Sequence, residues 1–175
     1  LYGPKLDFMA KNSAGREWQV ATIQLDMNLP ERFDLSCTNE KGEKQRIVMI
    51  HAAITGSLER CTAVLLEHLE GKFPVWLAPV QVKVLPIGEA HFNYAIKVEE
   101  ALQDAGVRSE LDVSDETLGK KIRNAKTEKI PYMVVIGDNE VRDNQITVEG
   151  RESKLGAMSV DEFVSKLKDE IKNRK

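Results

Sequence analysis

Residues 45–60 read QRIVMIHAAITGSLER. Gln45–His51 is a nearly unbroken apolar run, which suits a strand buried on both faces. The chain then reaches Gly56-Ser57, and Ser57 carries the hydroxyl of a good helix N-cap. Leu58, Cys61, Thr62, Leu65 and Leu69 follow at helical spacing and give one apolar face, closed by Gly71. Arg60 is the oddity, because it stands in the first turn of that helix. A cation at the positive end of the macrodipole is disfavoured by about 0.3–1 kcal/mol. The same end attracts anions. Arg60 is therefore either a surface residue paired with Glu59 or Glu67, or a group that meets phosphate or stacks on a base.

Working outward, Trp18–Asp26 (WQVATIQLD) is β-rich and alternates in part, so it reads as a strand that Pro30 ends. Asn39–Lys44 (NEKGEK) is a polar turn, and strands joined by short polar loops pair antiparallel. Phe73–Gln81 (FPVWLAPVQ) is a boundary, an apolar run interrupted by two prolines. Beyond it the pattern predicts a strand over Val80–Ile87, a helix over His91–Ala105 and a strand over Arg108–Val113. A helix capped by Ser114 and running to about Glu128 follows, then a buried strand at Tyr132–Ile136. Glu140–Val148 reads as a further strand or hairpin turning at Asp143-Asn144. Ser159 and Glu162 form a capping box for a last helix. The order β-α-β-α-β-β-α argues for a small α/β domain with a mixed sheet covered by helices. Residues 1–78 and 79–175 are the expected domains.

With 42% hydrophobic and 30% charged residues the composition is globular. A net charge of −3 excludes a bulk polyanion binder, so any nucleic-acid site must be a local patch. Lys120, Lys121, Arg123, Lys126 and Lys129 offer such a patch on and just after one helix. They read equally as a solvated helix face. Two cysteines, Cys37 and Cys61, make no disulfide framework and fit a reducing cytosol. The start, LYGPKLDFMA, has no signal-peptide pattern, and no apolar stretch approaches the roughly 20 residues of a membrane span. A soluble cytoplasmic protein is expected. Leu1 in place of Met suggests that N-terminal residues are missing. His51 reads as a satisfied core histidine or as a metal ligand, and Cys37, Cys61 and His68 form no ligand motif with it.

YGPK (Tyr2–Lys5), WQVATIQLD (Trp18–Asp26), MIHAAITGSLER (Met49–Arg60) and FPVWLAPVQV (Phe73–Val82) occur in this order. Together they resemble the threonyl-tRNA synthetases, a class II family, with GSLER resembling motif 3. The resemblance implies an α+β and α/β chain. Its first part would be the end of an antiparallel-sheet catalytic domain, and its second a small anticodon-binding domain with a mixed sheet. It implies that Arg60 and Lys5 are catalytic and that Gln19, Thr22, Ser57 and Arg60 bind ATP. Tyr2 and Gln24 would contact the amino acid, and His51 would be one of three protein ligands to zinc. In the family that Zn2+ holds the amino and hydroxyl groups of threonine, which excludes valine. A cysteine and a histidine upstream would complete the zinc site, and Mg2+ would accompany the ATP.

Strand parity raises one question. Thr22 and Gln24 share a face but Gln19 does not, so either β-structure bulges near Val20-Ala21 or Gln19 lies on the outer face.

In the second half the resemblance implies that Glu140 reads the anticodon, and Lys121 and Arg123 of the basic cluster are the expected tRNA contacts beside it. The stretch Val148–Leu155 (VEGRESKL) departs from the family, with Glu149 where an arginine is usual, so either Arg151 is its substitute or the base contact differs. Implied partners are tRNA(Thr) and threonine, with a homodimer for the full-length parent and neither membrane nor DNA. Motifs 1 and 2 and the editing region have no counterpart here, so the chain alone is expected to be inactive. Two other functions fit parts of the pattern: a free-standing tRNA-binding module, and another class II enzyme such as a prolyl-tRNA synthetase.

Overall fold

The computed structural model describes residues 3–12 and 14–175. The chain forms two compact units, one up to His68 and one from Leu69 to Lys175.

The first unit is built on an antiparallel sheet of β1 (Lys5–Lys11), β2 (Glu17–Asp26) and β5 (Met49–Ala53), in the order β1-β2-β5. Between β2 and β5 lie α1 (Asn28–Arg32) and a small hairpin of β3 (Ser36–Thr38) and β4 (Lys44–Arg46). The unit ends in α2 (Leu58–Leu69). Glu70 and Gly71 follow in left-handed backbone, at φ 52° and 74°, and stop the helix.

The run Gln45–His51 is not one strand. Lys44–Arg46 pairs with β3, and Arg46 donates to the Pro30 carbonyl at 2.9 Å and to Asp34 at 3.0 Å, which ties this stretch to α1 and the turn after it. The chain changes partner at Ile47-Val48, and only from Met49 does it pair with β2. Nor is the run buried, since Val48 is 53% and Ile50 64% exposed. Ile50 shares its sheet face with Leu6, Phe8 and Ile23, which are also exposed. Among the described residues of this unit the buried ones are Asp26 and Pro30. Among its described residues the unit therefore has a sheet but no buried apolar cluster.

The second unit has a five-stranded mixed sheet in the order β10-β9-β8-β6-β7. Its elements are β6 (Val82–Pro86), a short 3-10 turn at Glu89–His91, α3 (Phe92–Asp104), β7 (Ser109–Leu111), α4 (Leu118–Thr127), β8 (Tyr132–Ile136), α5 (Asp138–Asp143), β9 (Ile146–Gly150), β10 (Lys154–Met158) and α6 (Val160–Lys172). β6 pairs parallel with both β7 and β8, while β9 and β10 are antiparallel. Val82, Val84, Val134, Ile136, Ile146 and Val148 meet Ala95, Val98 and Leu102 of α3 and Phe163 and Leu167 of α6. On the other face Leu85 and Met133 meet Ala125 of α4 and Ile130. This is the helix-covered mixed sheet that the pattern predicts. The Ser159–Glu162 box is formed as read, with each residue bonded to the other's backbone N–H.

Two local expectations fail here. Glu140–Val148 is not a hairpin. Gly137 opens a six-residue helix because Glu140 reaches back to its N–H at 2.9 Å, and Asn144 at φ 52° ends it. The true hairpin is β9–β10. The helix expected from Ser114 begins only at Leu118, because the Ser114 N–H turns back onto Asp112 at 3.0 Å. Among the described residues no helix is long and apolar enough to cross a membrane.

Candidate functional site

The register of the first sheet sets Lys5 opposite Gln24, Gln24 opposite His51, and Asp7 opposite Thr22. Opposed residues of an antiparallel pair point to the same face. Lys5, Asp7, Thr22, Gln24 and His51 therefore stand together. Gln19 joins them through a bulge. Phe8 pairs with Ala21 but Met9 pairs with Gln19, which leaves Val20 as the extra residue of β2. Gln19 Nε2 then donates to Asp7 Oδ1 at 2.7 Å, and the Thr22 hydroxyl donates to the same oxygen at 2.9 Å. The Lys5 ammonium reaches it at 3.1 Å. Asp7 was not singled out from sequence; the available signal was its alternation with Lys5 on a short strand.

The start of α2 sits against this bulge. Gly56 has φ +63°, and a Cβ there would lie 3.3 Å from the Val20 carbonyl oxygen. The Ser57 hydroxyl accepts the Arg60 N–H at 3.1 Å and so caps the helix. Arg60 Nη1 donates to the Gln19 carbonyl at 3.3 Å. Glu67 is instead engaged by Asn12 Nδ2 at 3.1 Å, and among the described residues Arg60 forms no ion pair. Its guanidinium borders a cleft of about 170 Å³ lined also by Gln19, Val20, Ile54, Cys61 and Leu65.

His51 is partly exposed, not a core residue. Its Nε2 lies 2.8 Å from Asp26 Oδ2. Asp26 is fully buried, and its Oδ1 accepts the N–H groups of Asn28 at 2.9 Å and Leu29 at 3.0 Å. Burial works against its charged form. The Leu29 N–H, the His51 ring and the Asn28 N–H outweigh it and hold the carboxyl below its usual range. A carboxylate on one ring nitrogen is the usual backing of a metal-bound imidazole. Among the described residues no group of three such ligands exists. Tyr2 lies outside the described residues.

In the second unit, His91 and Glu140 lie beyond the carboxyl ends of the parallel strands β6 and β8. β7 and β8 flank β6 on opposite sides, which makes a switch point where α/β sheets bind ligands. Glu140 is held there by the Gly137 N–H at 2.9 Å and the Thr147 hydroxyl at 2.6 Å. Partial burial opposes its charge, but the Thr147 and Gly137 donors, with His91 nearby, keep its carboxyl below the usual range. His91 accepts the Gly88 N–H at 3.2 Å and meets Asp138 at 3.0 Å.

The basic cluster is not one patch. Lys121 is only 2% exposed, and its ammonium donates to the Pro86 and Asp112 carbonyls, each at 3.2 Å. It props the ends of β6 and β7 from inside and cannot track a phosphate. Lys120 pairs with Glu116 and Lys126 with Glu149, and Lys129 donates to the Glu70 carbonyl. Arg123 is exposed and has no ion pair among the described residues. Arg151 also departs from its expected place. Gly150 pairs with Tyr132, so Arg151 lies at the far end of the sheet from Glu140. There its guanidinium ties down the carbonyls of Phe73 at 3.1 Å and of Lys129.

Residues 81–170 match the family described as anticodon binding domain. Residues 1–69 match the tRNA synthetase class II core domain (G, H, P, S and T). A threonine–tRNA ligase of Clostridium botulinum is 50% identical over 175 residues, 99% of this chain and 28% of the relative. One from Clostridium tetani is 51% identical over 175 residues, 99% of this chain and 27% of the relative. Among solved structures, the RNA binding domain of threonyl-tRNA synthetase from Cryptosporidium parvum Iowa II is similar at a TM-score of 0.85 and 41% identity. That match covers 96% of this chain and 43% of the other. The chain thus spans 27–28% of the length of these curated relatives.

Proposed function

Because the chain belongs to the threonyl-tRNA synthetase family, with an anticodon binding domain joined to a class II core segment, we propose that the protein carrying it activates threonine with ATP and charges tRNA(Thr). The supporting observation is the convergence of Lys5, Asp7, Thr22, Gln24 and His51 on one sheet face, with Gln19 brought in by the Val20 bulge and Arg60 docked on the Gln19 carbonyl.

The reaction forms a bond between a threonine carboxylate oxygen and the α-phosphorus of ATP, and pyrophosphate leaves. A terminal ribose hydroxyl of the tRNA then attacks the threonyl carbonyl and displaces AMP. The protein's contribution is positioning and charge stabilisation. Arg60 meets phosphate or stacks on adenine at the positive end of α2, beside Ser57. Gln19 and Thr22 face the nucleotide, and Lys5 lies toward the adenylate. Gln24, between Lys5 and His51 in register, faces the threonine amino group. His51, backed by Asp26, would contribute to a zinc site supplying a Lewis-acid hold on the amino and hydroxyl groups of threonine, with Mg2+ countering the polyphosphate charge.

Residues 1–78 are the proposed catalytic part and 79–175 the anticodon part. Glu140, an ionised acceptor fixed by Thr147 and Gly137, faces donor groups of an anticodon base, and Arg123 meets backbone phosphate. The working form we infer is a cytoplasmic homodimer; two free cysteines agree with a reducing compartment.

The test is amino-acid-dependent ATP–pyrophosphate exchange by the full-length protein with threonine, valine and proline. Threonine should support exchange and the other two should not. Exchange with proline, or none at all, would refute the proposal. The 175-residue chain alone should show no exchange.

A further inference from the structure

We infer that Asp7 is a positioning residue of the nucleotide side of this site, and that it sets the hydrogen-bond polarity the site presents. The inference rests on the proposed function and deepens it. Three donors converge on Asp7 Oδ1: Gln19 Nε2 at 2.7 Å, Thr22 Oγ1 at 2.9 Å and Lys5 Nζ at 3.1 Å. They come from both strands and from both sides of the bulge, so one carboxylate fixes three proposed ligand contacts at once.

An ionised carboxylate only accepts. The Thr22 hydroxyl has one proton, and its acceptors are both on β1: Asp7 Oδ1 at 2.9 Å, the shorter, and the Leu6 carbonyl at 3.3 Å. Its lone pairs are what it can offer a ligand. The Gln19 amide is oriented in the same way: its nitrogen must face the carboxylate, so its carbonyl oxygen Oε1 is turned from it. Asp7 stays in the acceptor state because the Thr22 hydroxyl, against partial burial and with help from Lys5, holds its carboxyl below the ordinary range. Thr22 and the Gln19 carbonyl therefore suit hydrogen-bond donors on the nucleoside, namely ribose hydroxyls or the adenine amine. They do not suit phosphate oxygens, which need donors and which Arg60 serves.

The experiment is threonine-dependent pyrophosphate exchange by the full-length protein, comparing ATP with 2′-deoxy-ATP, 3′-deoxy-ATP and inosine triphosphate. The two deoxy analogues test the ribose hydroxyls and inosine triphosphate the adenine amine. Wild type should prefer ATP over at least one analogue by about tenfold in kcat/KM. Asp7→Asn replaces the shared charged acceptor by a neutral amide that cannot hold Gln19, Thr22 and Lys5 together, and should cut that preference to about threefold or less. It should raise KM for ATP and leave KM for threonine unchanged, while Asp7→Glu keeps the preference. An unchanged preference in Asp7→Asn, or no preference in wild type, overturns the inference and leaves the proposed function standing. Equal losses for every nucleotide and for threonine in both variants would mark a merely structural role and also overturn it. Absence of threonine-dependent exchange in wild type defeats the proposed function itself.

Discussion

A Cβ on Gly56 would stand 3.3 Å from the carbonyl oxygen of Val20, the residue that bulges out of β2. The turn that launches α2 is therefore seated on the bulge that presents Gln19. Two features of the site, the bulge and the Arg60 turn, share one contact. Gly56→Ala adds a methyl group at φ +63°, where left-handed backbone costs a non-glycine residue about 1–2 kcal/mol. The first turn of α2 should exchange its amide protons faster, and KM for ATP should rise about threefold or more as Arg60 loses its seat on Gln19. Hydrogen exchange and pyrophosphate-exchange kinetics measure the two effects.

Asp26 ties pH to the His51 side of the site. Its folded carboxyl titrates below the unfolded value, so it stabilises the fold fully above the unfolded value of about 3.9. That contribution is lost as pH falls through the lower, folded value. A carboxyl carbon-13 titration of Asp26 should show a midpoint below 3.9, whereas a midpoint at or above it would contradict the bonding described. Asp26→Asn should weaken protection of the β2–β5 amides at neutral pH and reduce the acid dependence of that protection.

Lys121 and Arg123 should separate stability from binding. Lys121→Met keeps the buried stem but leaves the Pro86 and Asp112 carbonyls without their donor, a cost of about 2 kcal/mol. Denaturant unfolding of the second unit should register it. Arg123→Ala should leave unfolding unchanged, weaken tRNA binding and lower the salt slope by about 1.

Thr147 should matter through Glu140. Thr147→Val removes the 2.6 Å donor and frees one oxygen of the carboxylate to turn. Affinity for tRNA(Thr), read by filter binding, should fall about three- to tenfold, with pyrophosphate exchange unaffected.

Much of this architecture was legible because it rests on local patterns. The β2–β5 pairing, α2, the strands β6 and β8, and the capped helix α6 all follow from periodicity, caps and turn residues. What was hidden depends on distant partners. The split of Gln45–His51 is caused by Arg46 bonding to Pro30 and Asp34, which no local window contains. Helix α5 is set by one Glu140-to-Gly137 bond and not by an apolar stripe. Strand β1 declares itself only against β2. In the site, Gln19 and Thr22 could be matched to a family, but Asp7 belonged to no motif. Lys121 was readable in principle: it stands four residues before buried Ala125, on the inner phase of α4, while Lys120 does not.

The proposed function gives one chain half of an activation site and a separate anticodon site. Its most direct measurement is a crossed comparison of Arg60→Ala and Glu140→Ala in the full-length protein, scored for threonine-dependent pyrophosphate exchange and for tRNA(Thr) affinity. Arg60→Ala should lower exchange about a hundredfold and leave tRNA affinity intact. Glu140→Ala should weaken tRNA affinity about tenfold and leave exchange intact. Both variants impairing the same step, or Arg60→Ala exchanging at the wild-type rate, would contradict the account.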